Sequence, residues 1–218
     1  MDPSLVATMV KLIEAKDLST AAHTWRVVLY ARAMGEVAGL EHSVIERLTR
    51  AAALHDIGKL DIPDAILQKP GPLTDDERAV MQTHTTLGHE RLLALDDSDA
   101  IDLELVRYHH ERLDGTGYPD RLLGPSIPRS AKYFAVIDTF DAMTSYRPYR
   151  DAVGPKAAEL ALRELNDKRD AWYCAEAVQM FEGLYRSGRL AWVLEYFNDS
   201  CPVPPLDRVA HAPDGWHT

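Results

Sequence analysis

Five of the nine histidines fall on the apolar side of helical stripes, and any fold of this chain must find each a buried partner. At ~100° per residue, His23 stands one turn before Val27, and His55 shares the face of Leu48 and Ala51. His84 lies with Val80, Met81 and Leu87, and His109 and His110 follow Leu105 and Val106 by four residues each. His89 is turned ~140° from His84, towards solvent, and His42, His211 and His217 read as surface or tail. A single inward histidine is ordinarily a hydrogen-bonded core residue. Neutral imidazoles cannot all satisfy one another when buried. Five of them are satisfied together if they converge on metal ions.

The segments carrying these histidines all read as helix. From Thr20 to Ala38 the apolar positions are Val27, Tyr30, Ala31, Met34 and Val37, spaced for one helical face. Thr74 and Glu77 have the spacing of a capping box, predicting one helix that runs on through Val80, His84 and Gly88. "PRSAKYFAVIDTFDAMTSY" clusters Phe134, Ile137, Asp138 and Asp141, Pro155 opens a further helix, and "AEAVQMFEGLYRSG" ends at Gly188. No convincing strand alternation and no internal repeat is present. The expected fold is all-α, a single helical-bundle domain of roughly seven to nine helices spanning residues 1–200. Residues 201–218, rich in proline and polar groups, are expected to be an irregular tail.

Charge and composition narrow the partners. The 218 residues carry a formal charge of −10, which opposes non-specific binding to DNA or to anionic membrane. No apolar run approaches the ~18–20 residues of a membrane span. The first residues, "MDPSLVATMVKLIEAKD", lack the basic-then-apolar order of a secretory signal. Cys174 and Cys201 give no CxxC spacing, so neither a disulfide framework nor a zinc knuckle is indicated. A cytoplasmic protein is expected. An anionic substrate would need a local positive site.

Two carboxylates join the histidines: Asp56 beside His55, and Asp138 on the face of Phe134. This nitrogen and oxygen set without sulfur suits Mn, Fe, Co, Ni or Zn. Adjacent helical residues diverge by ~100°, so the doublets His55–Asp56 and His109–His110 can each serve two centres. The second doublet opens "HHERLDGTGYP", whose glycines and proline end the helix at once.

"LHDIGK", residues 54–59, with "HHERLDGTGYP" downstream, resembles the HD-GYP domain, a bacterial subgroup of the HD-domain phosphohydrolases. The likeness runs from about Thr20 to Tyr149, through "IPDAILQKPGPLT", "MQTHTTLGHE" and "IDTFDAMTSYRPYR". It implies metal ligands at His23, His55, Asp56, His84, His109, His110 and Asp138, with Asp56 bridging. The implied cofactor is two divalent ions, iron or manganese foremost, with cobalt, nickel or zinc as further options. The implied reaction is hydrolysis of cyclic di-GMP to linear pGpG by a hydroxide held between the ions. Lys59 resembles the lysine that contacts the scissile phosphate, Arg147 and Arg150 the basic pair on phosphate oxygens, and Gly117, Tyr118 and Pro119 the loop bordering the substrate. Partners within a cyclic di-GMP signalling network also follow from the resemblance, whereas oligomeric state does not. A broader cyclic-dinucleotide or nucleotide phosphohydrolase and a sensing or interaction module without turnover are the competing readings. No residue in the sequence can be named as selecting guanine.

Three positions depart from the pattern. Ser19 stands where some members carry a glutamate for a third metal, and the nearest acid is Asp17. Tyr173–Cys174–Ala175 replaces a motif of the type "FDP", and Leu113 replaces a common tryptophan. A binuclear centre releasing mainly pGpG is the expectation.

Overall fold

The computed structural model describes residues 1–17, 20–95, 99–145 and 154–196. Its helices are α1 (Pro3–Lys16), α2 (Thr20–Val37), α3 (His42–Leu54), α4 (Asp64–Leu67), α5 (Asp75–Gln82), α6 (His84–Leu93), α7 (Ala100–Tyr108), α8 (Arg129–Thr144), α9 (Gly154–Asp167), α10 (Ala175–Arg186) and α11 (Ala191–Tyr196). The bundle is all-α as the periodicity predicts. Among the described residues there is no strand, only the isolated bridges Asp114–Leu123 and Arg169–Tyr173. None of those residues forms a helix long and apolar enough to cross a membrane. The expected tail lies outside the described residues.

Local chemistry sets the ends of these helices. Asp2 caps α1 by accepting the Ser4 N–H at 2.7 Å, and the Thr74–Glu77 box at the start of α5 closes in both directions. A second box, Asp99–Asp102, starts α7. Its buried Asp102 also accepts from Arg50 of α3 at 2.8–3.1 Å. That charge-assisted pairing ties α3 to α7 one turn or two from the histidines that each helix carries.

Residues of α2, α3, α8, α9 and α10 share the main core. Tyr30, Phe140 and Phe181 meet there with centroids 4.7–5.9 Å apart, and each buried aromatic is worth about 2 kcal/mol or more. A smaller cluster joins Met9 and Ile13 of α1 to Leu54, Ile57, Leu92 and Val106. The site lies where these two clusters meet. At one sequence departure, Tyr173 is buried in the main core and Cys174 is the N-cap residue of α10.

One expected helix is divided. The segment opened by Thr74 ends at Gln82, and α6 starts afresh at His84. Thr83 closes α5 in a tightened last turn, its N–H donating to the Val80 carbonyl at 3.1 Å. Val80 is consequently exposed while His84 is buried, so the two do not share one face. The Pro- and Gly-rich loop after Gly58 also contains the short α4.

Candidate metal centre

Four helix ends and two helix faces deliver the seven candidate ligands. His23 comes from α2 and Asp138 from α8, His55 caps the end of α3, and His84 opens α6. His109 caps α7, with His110 next in the chain. Asp56 precedes the 3-10 turn Ile57–Asp61, which holds Lys59. Glycine makes the assembly possible: a Cβ on Gly58 would lie 1.8 Å from the His84 carbonyl oxygen. The turn therefore presses directly on α6 and sets His84 beside Asp56.

The ligand atoms fall into overlapping sets, each within 4.8 Å: His84, His109 and His110; His23, His55 and Asp138; and His55, Asp56 and His109. His23 Nε2 is 3.2 Å from His55 Nε2, and His84 Nε2 is 3.4 Å from His109 Nε2. Asp56 faces both sides, with Oδ2 3.2 Å from His55 and Oδ1 3.5 Å from His84. Asp138 Oδ1 is 3.7 Å from His23 and 3.9 Å from His55. All seven residues expected from sequence are thus brought together.

The opposite ring nitrogens show what this cluster is built for. Nδ1 of His55 lies 2.7 Å from the Ala52 carbonyl, that of His84 2.8 Å from Met81, and that of His109 3.0 Å from Val106. His23 Nδ1 lies 2.7 Å from Asp141 Oδ2. A carbonyl can only accept, so these contacts place the proton on Nδ1 and leave the Nε2 lone pair aimed inward, the hydrogen bonding that orients metal-binding histidines. Such lone pairs 3.2–3.4 Å apart repel unless a cation lies among them. The residues fit divalent metal ions.

For His84, His109 and His110 the protonation states agree. Burial, then neighbouring imidazoles, holds His109 and His110 well below the ordinary histidine value. Burial also lowers His84. Burial opposes the charge on Asp56, but His55 and Lys59 outweigh it and keep the carboxylate ionised. His55 moves the other way: burial is outweighed by Asp56, and its pKa rises. Lys59 sits 2.8 Å from Asp56 and 3.5 Å from Asp17. Burial disfavours its charge, but these carboxylates outweigh burial and keep it protonated.

The loop after the histidines folds back over them. A Cβ on Gly117 would meet the Arg112 nitrogen at 2.4 Å and the His110 carbonyl oxygen at 2.6 Å. Tyr118 N–H donates to that same carbonyl at 3.3 Å, and its ring stacks on His110 at 4.7 Å. Burial, then Asp138 and Asp56, raise the phenol pKa, so Tyr118 is a neutral hydroxyl. It borders a cavity of ≈250 Å³ shared with His23, Asp56, Lys59, His110 and Asp138. Gly117 and Pro119 line an adjoining cavity.

Sequence reasoning passed over four residues behind the ligands. Asp141, fully buried, accepts from Arg26 at 2.6 and 3.0 Å while holding His23. Arg26 also donates to Ser145 at 2.7 Å. Glu111, 3% exposed, accepts the backbone N–H groups of Asp120 and Leu122. Spacing offered a signal, since Arg26 follows His23 by three and Asp141 follows Asp138 by three. His89 stays outside the ligand sets, as expected, but is half-buried rather than turned to solvent, its pKa lowered by burial and then by Arg107. Arg147, Arg150 and Ser19 lie outside the described residues.

A fold that gathers histidines and an HD doublet in this way defines a class of metal-site domain, and comparison with known proteins agrees. The HD-domain family matches residues 7–176. The chain is 42% identical over 172 residues to a cyclic di-GMP phosphodiesterase of Thermotoga maritima, covering 78% of this chain and 46% of that protein. It is 40% identical over 154 residues to 3′3′-cGAMP-specific phosphodiesterase 2 of Vibrio cholerae, covering 67% and 28%. Bd1817, an HDG"Y"P protein from Bdellovibrio bacteriovorus, shares the fold with a TM-score of 0.62 at 19% identity, over 77% of this chain and 53% of that one. The chain belongs to the HD-domain family, within its HD-GYP group. It spans less than half the length of the first curated relatives it matches.

Proposed function

We propose that this chain is a metal-dependent phosphodiesterase that opens cyclic di-GMP to linear pGpG. The observation carrying the reading is Asp56, whose two oxygens each face a histidine of a different ligand set. His84, His109 and His110 would hold one divalent ion and His23, His55 and Asp138 another, with Asp56 shared. Iron or manganese suits these donors best, and cobalt, nickel and zinc are compatible with them. Bound ions supply Lewis acidity and an activated water near neutral pH.

The chain's own groups do the rest. Lys59 keeps a positive charge at the cavity wall and is placed to hold a non-bridging phosphate oxygen, a role of positioned charge. Tyr118 offers a neutral hydroxyl donor. Arg147 and Arg150 are assigned to phosphate binding from the motif they occupy. Together with the ions they make a local positive site in a chain of net charge −10, one that draws in a dianion. The substrate is a bacterial messenger, so the cytoplasm is the expected compartment.

Relatives named as cyclic di-GMP phosphodiesterases support the substrate, and others named for 3′3′-cGAMP support that dinucleotide as a second reading. The full ligand set opposes a sensing module without turnover. The test is an anaerobic assay of protein loaded with Fe(II) or Mn(II) against both dinucleotides, with products separated by chromatography. Hydrolysis of cyclic di-GMP at the higher kcat/KM is expected. Fully loaded protein that cleaves neither would overturn the proposal.

A further inference from the structure

Tyr118 has a second side. Past it, a cavity of ≈450 Å³ opens between the end of α5 and the glycine-rich loop, walled by Gln82, Thr116, Gly117, Tyr118, Pro119 and Arg121. Arg121 is the unusual wall. Its φ of 55° places a residue with a Cβ in the left-handed region, which glycine occupies freely and arginine does not.

The backbone on both sides of it is pinned. Asp120 N–H donates to Glu111 Oε1 at 2.7 Å and Leu122 N–H to Glu111 Oε2 at 3.0 Å. Arg107 grips the Asp120 carboxylate at 2.9 and 3.0 Å. An unfavourable dihedral persists where its surroundings over-determine it, and such positions concentrate at ligand sites. Here the buried Glu111 fixes the backbone on both sides of Arg121, an exposed residue of the cavity wall whose guanidinium has no hydrogen-bond or ion-pair partner among the described residues.

We propose that this cavity is the subsite for a guanine base of the cyclic dinucleotide, with Arg121 reading the base edge and Gln82 on the opposing wall. The inference deepens the phosphodiesterase reading and rests on it. Tyr118 is common to both cavities, so a dinucleotide seated by one phosphate at the ligand cluster reaches the second cavity across that ring. Guanine presents the acceptors O6 and N7 side by side, which match the paired donors of arginine. Adenine replaces O6 with an amino donor, which opposes a guanidinium. Arg121 is therefore assigned as a specificity-determining residue, acting on binding rather than on the reacting phosphate.

Arg121→Gly is the discriminating variant, because glycine adopts this φ without strain and the fold should hold its Tm. The expected result is a KM for cyclic di-GMP raised about 5- to 100-fold, the range of one bidentate arginine–guanine pair, with kcat little changed and no shift for cyclic di-AMP. Arg121→Lys, which keeps charge but loses the fork, should fall between. Gln82→Ala should raise KM by a smaller factor. Wild-type turnover tests the phosphodiesterase reading itself. If wild type turns over and both Arg121→Gly and Gln82→Ala keep its KM, the subsite is wrong and the reading survives. An equal rise for cyclic di-GMP and cyclic di-AMP would show that Arg121 senses phosphate, which also overturns the base assignment. Should wild type not turn over, the Kd of cyclic di-GMP for Mn(II)-loaded wild type and Arg121→Gly reads the subsite alone, and equal values reject it.

Discussion

Asp141 Oδ2 lies 2.7 Å from His23 Nδ1, on the ring nitrogen opposite the one aimed at the ligand cluster. The carboxylate thereby fixes both the tautomer and the rotation of an imidazole in the candidate metal centre. Asp141→Asn should weaken metal binding at the His23 side about 10- to 100-fold, read by titration of the chelator-stripped protein with Co(II) or Mn(II). The same change removes the carboxylate that Arg26 holds at 2.6 Å, and breaking a buried ion pair costs up to about 3–5 kcal/mol. Adding Arg26→Met should restore much of the lost Tm and none of the metal affinity. Recovery of both would make Asp141 a stability residue and nothing more.

Asp56 is predicted to matter to both ions. Elemental analysis of the protein purified without chelator should give about two metal equivalents per chain, the stoichiometry of a binuclear hydrolase site. Asp56→Asn should lose metal from both sets and all turnover. His89→Ala, outside the ligand sets, should retain wild-type metal content. Two equivalents in Asp56→Asn would remove its bridging role.

Most of this centre was legible because ligand chemistry and helix geometry restrict it together. His109 and His110 follow Leu105 and Val106 by one turn, and buried imidazoles need partners, so their inward position could be read from spacing. What stayed hidden depends on contacts between segments far apart in the chain. Asp141 and Arg26 meet across 115 positions, and either alone reads as an ordinary helical charge. Thr83 divides α5 from α6 through a tightened backbone turn that a continuous apolar pattern does not show. Arg121 offered no sequence signal, since its significance lies in a backbone angle fixed by Glu111.

Lys59 should act on the transition state more than on binding. Lys59→Ala is expected to lower kcat about 10²- to 10³-fold, the scale for removing one donor to developing charge, with a smaller change in KM. Arg147→Ala should do the reverse, raising KM and flattening its dependence on salt. An unaltered kcat in Lys59→Ala would exclude it from the chemistry.

Acid should act first through the histidines. His109 and His110 have folded pKa values well below the unfolded value of about 6.5. As pH falls below ~6.5 the unfolded chain takes up protons that the folded site refuses, so stability present above that pH is lost. His55, raised, contributes in the opposite sense, but two strongly lowered imidazoles outweigh one. Asp141, held down at about 2 against the carboxylate value of 3.8, keeps its contribution until far more acid conditions. Chelator-treated protein should therefore show a falling Tm from pH 6.5 to 5, and separately prepared metal-loaded protein should lose its metal over the same window. A flat Tm there would contradict neutral buried imidazoles.

On the proposed phosphodiesterase reading, product identity turns on whether a third ion can be seated. The sequence offers Ser19, a neutral hydroxyl, where a carboxylate would serve, and a hydroxyl is a poor ligand for a hard divalent ion. Asp17 is the nearest acid, and its carboxylate lies 3.5 Å from Lys59 Nζ, paired with the cation assigned to substrate phosphate. The centre is accordingly expected to stop at two ions, with linear pGpG accumulating and GMP forming slowly. Time-resolved chromatography of a single reaction decides it: GMP rising from the start without a pGpG intermediate would reject the binuclear reading. Ser19→Glu should raise metal content towards three equivalents before it raises GMP, and a gain in GMP at unchanged metal content would place the second hydrolysis elsewhere.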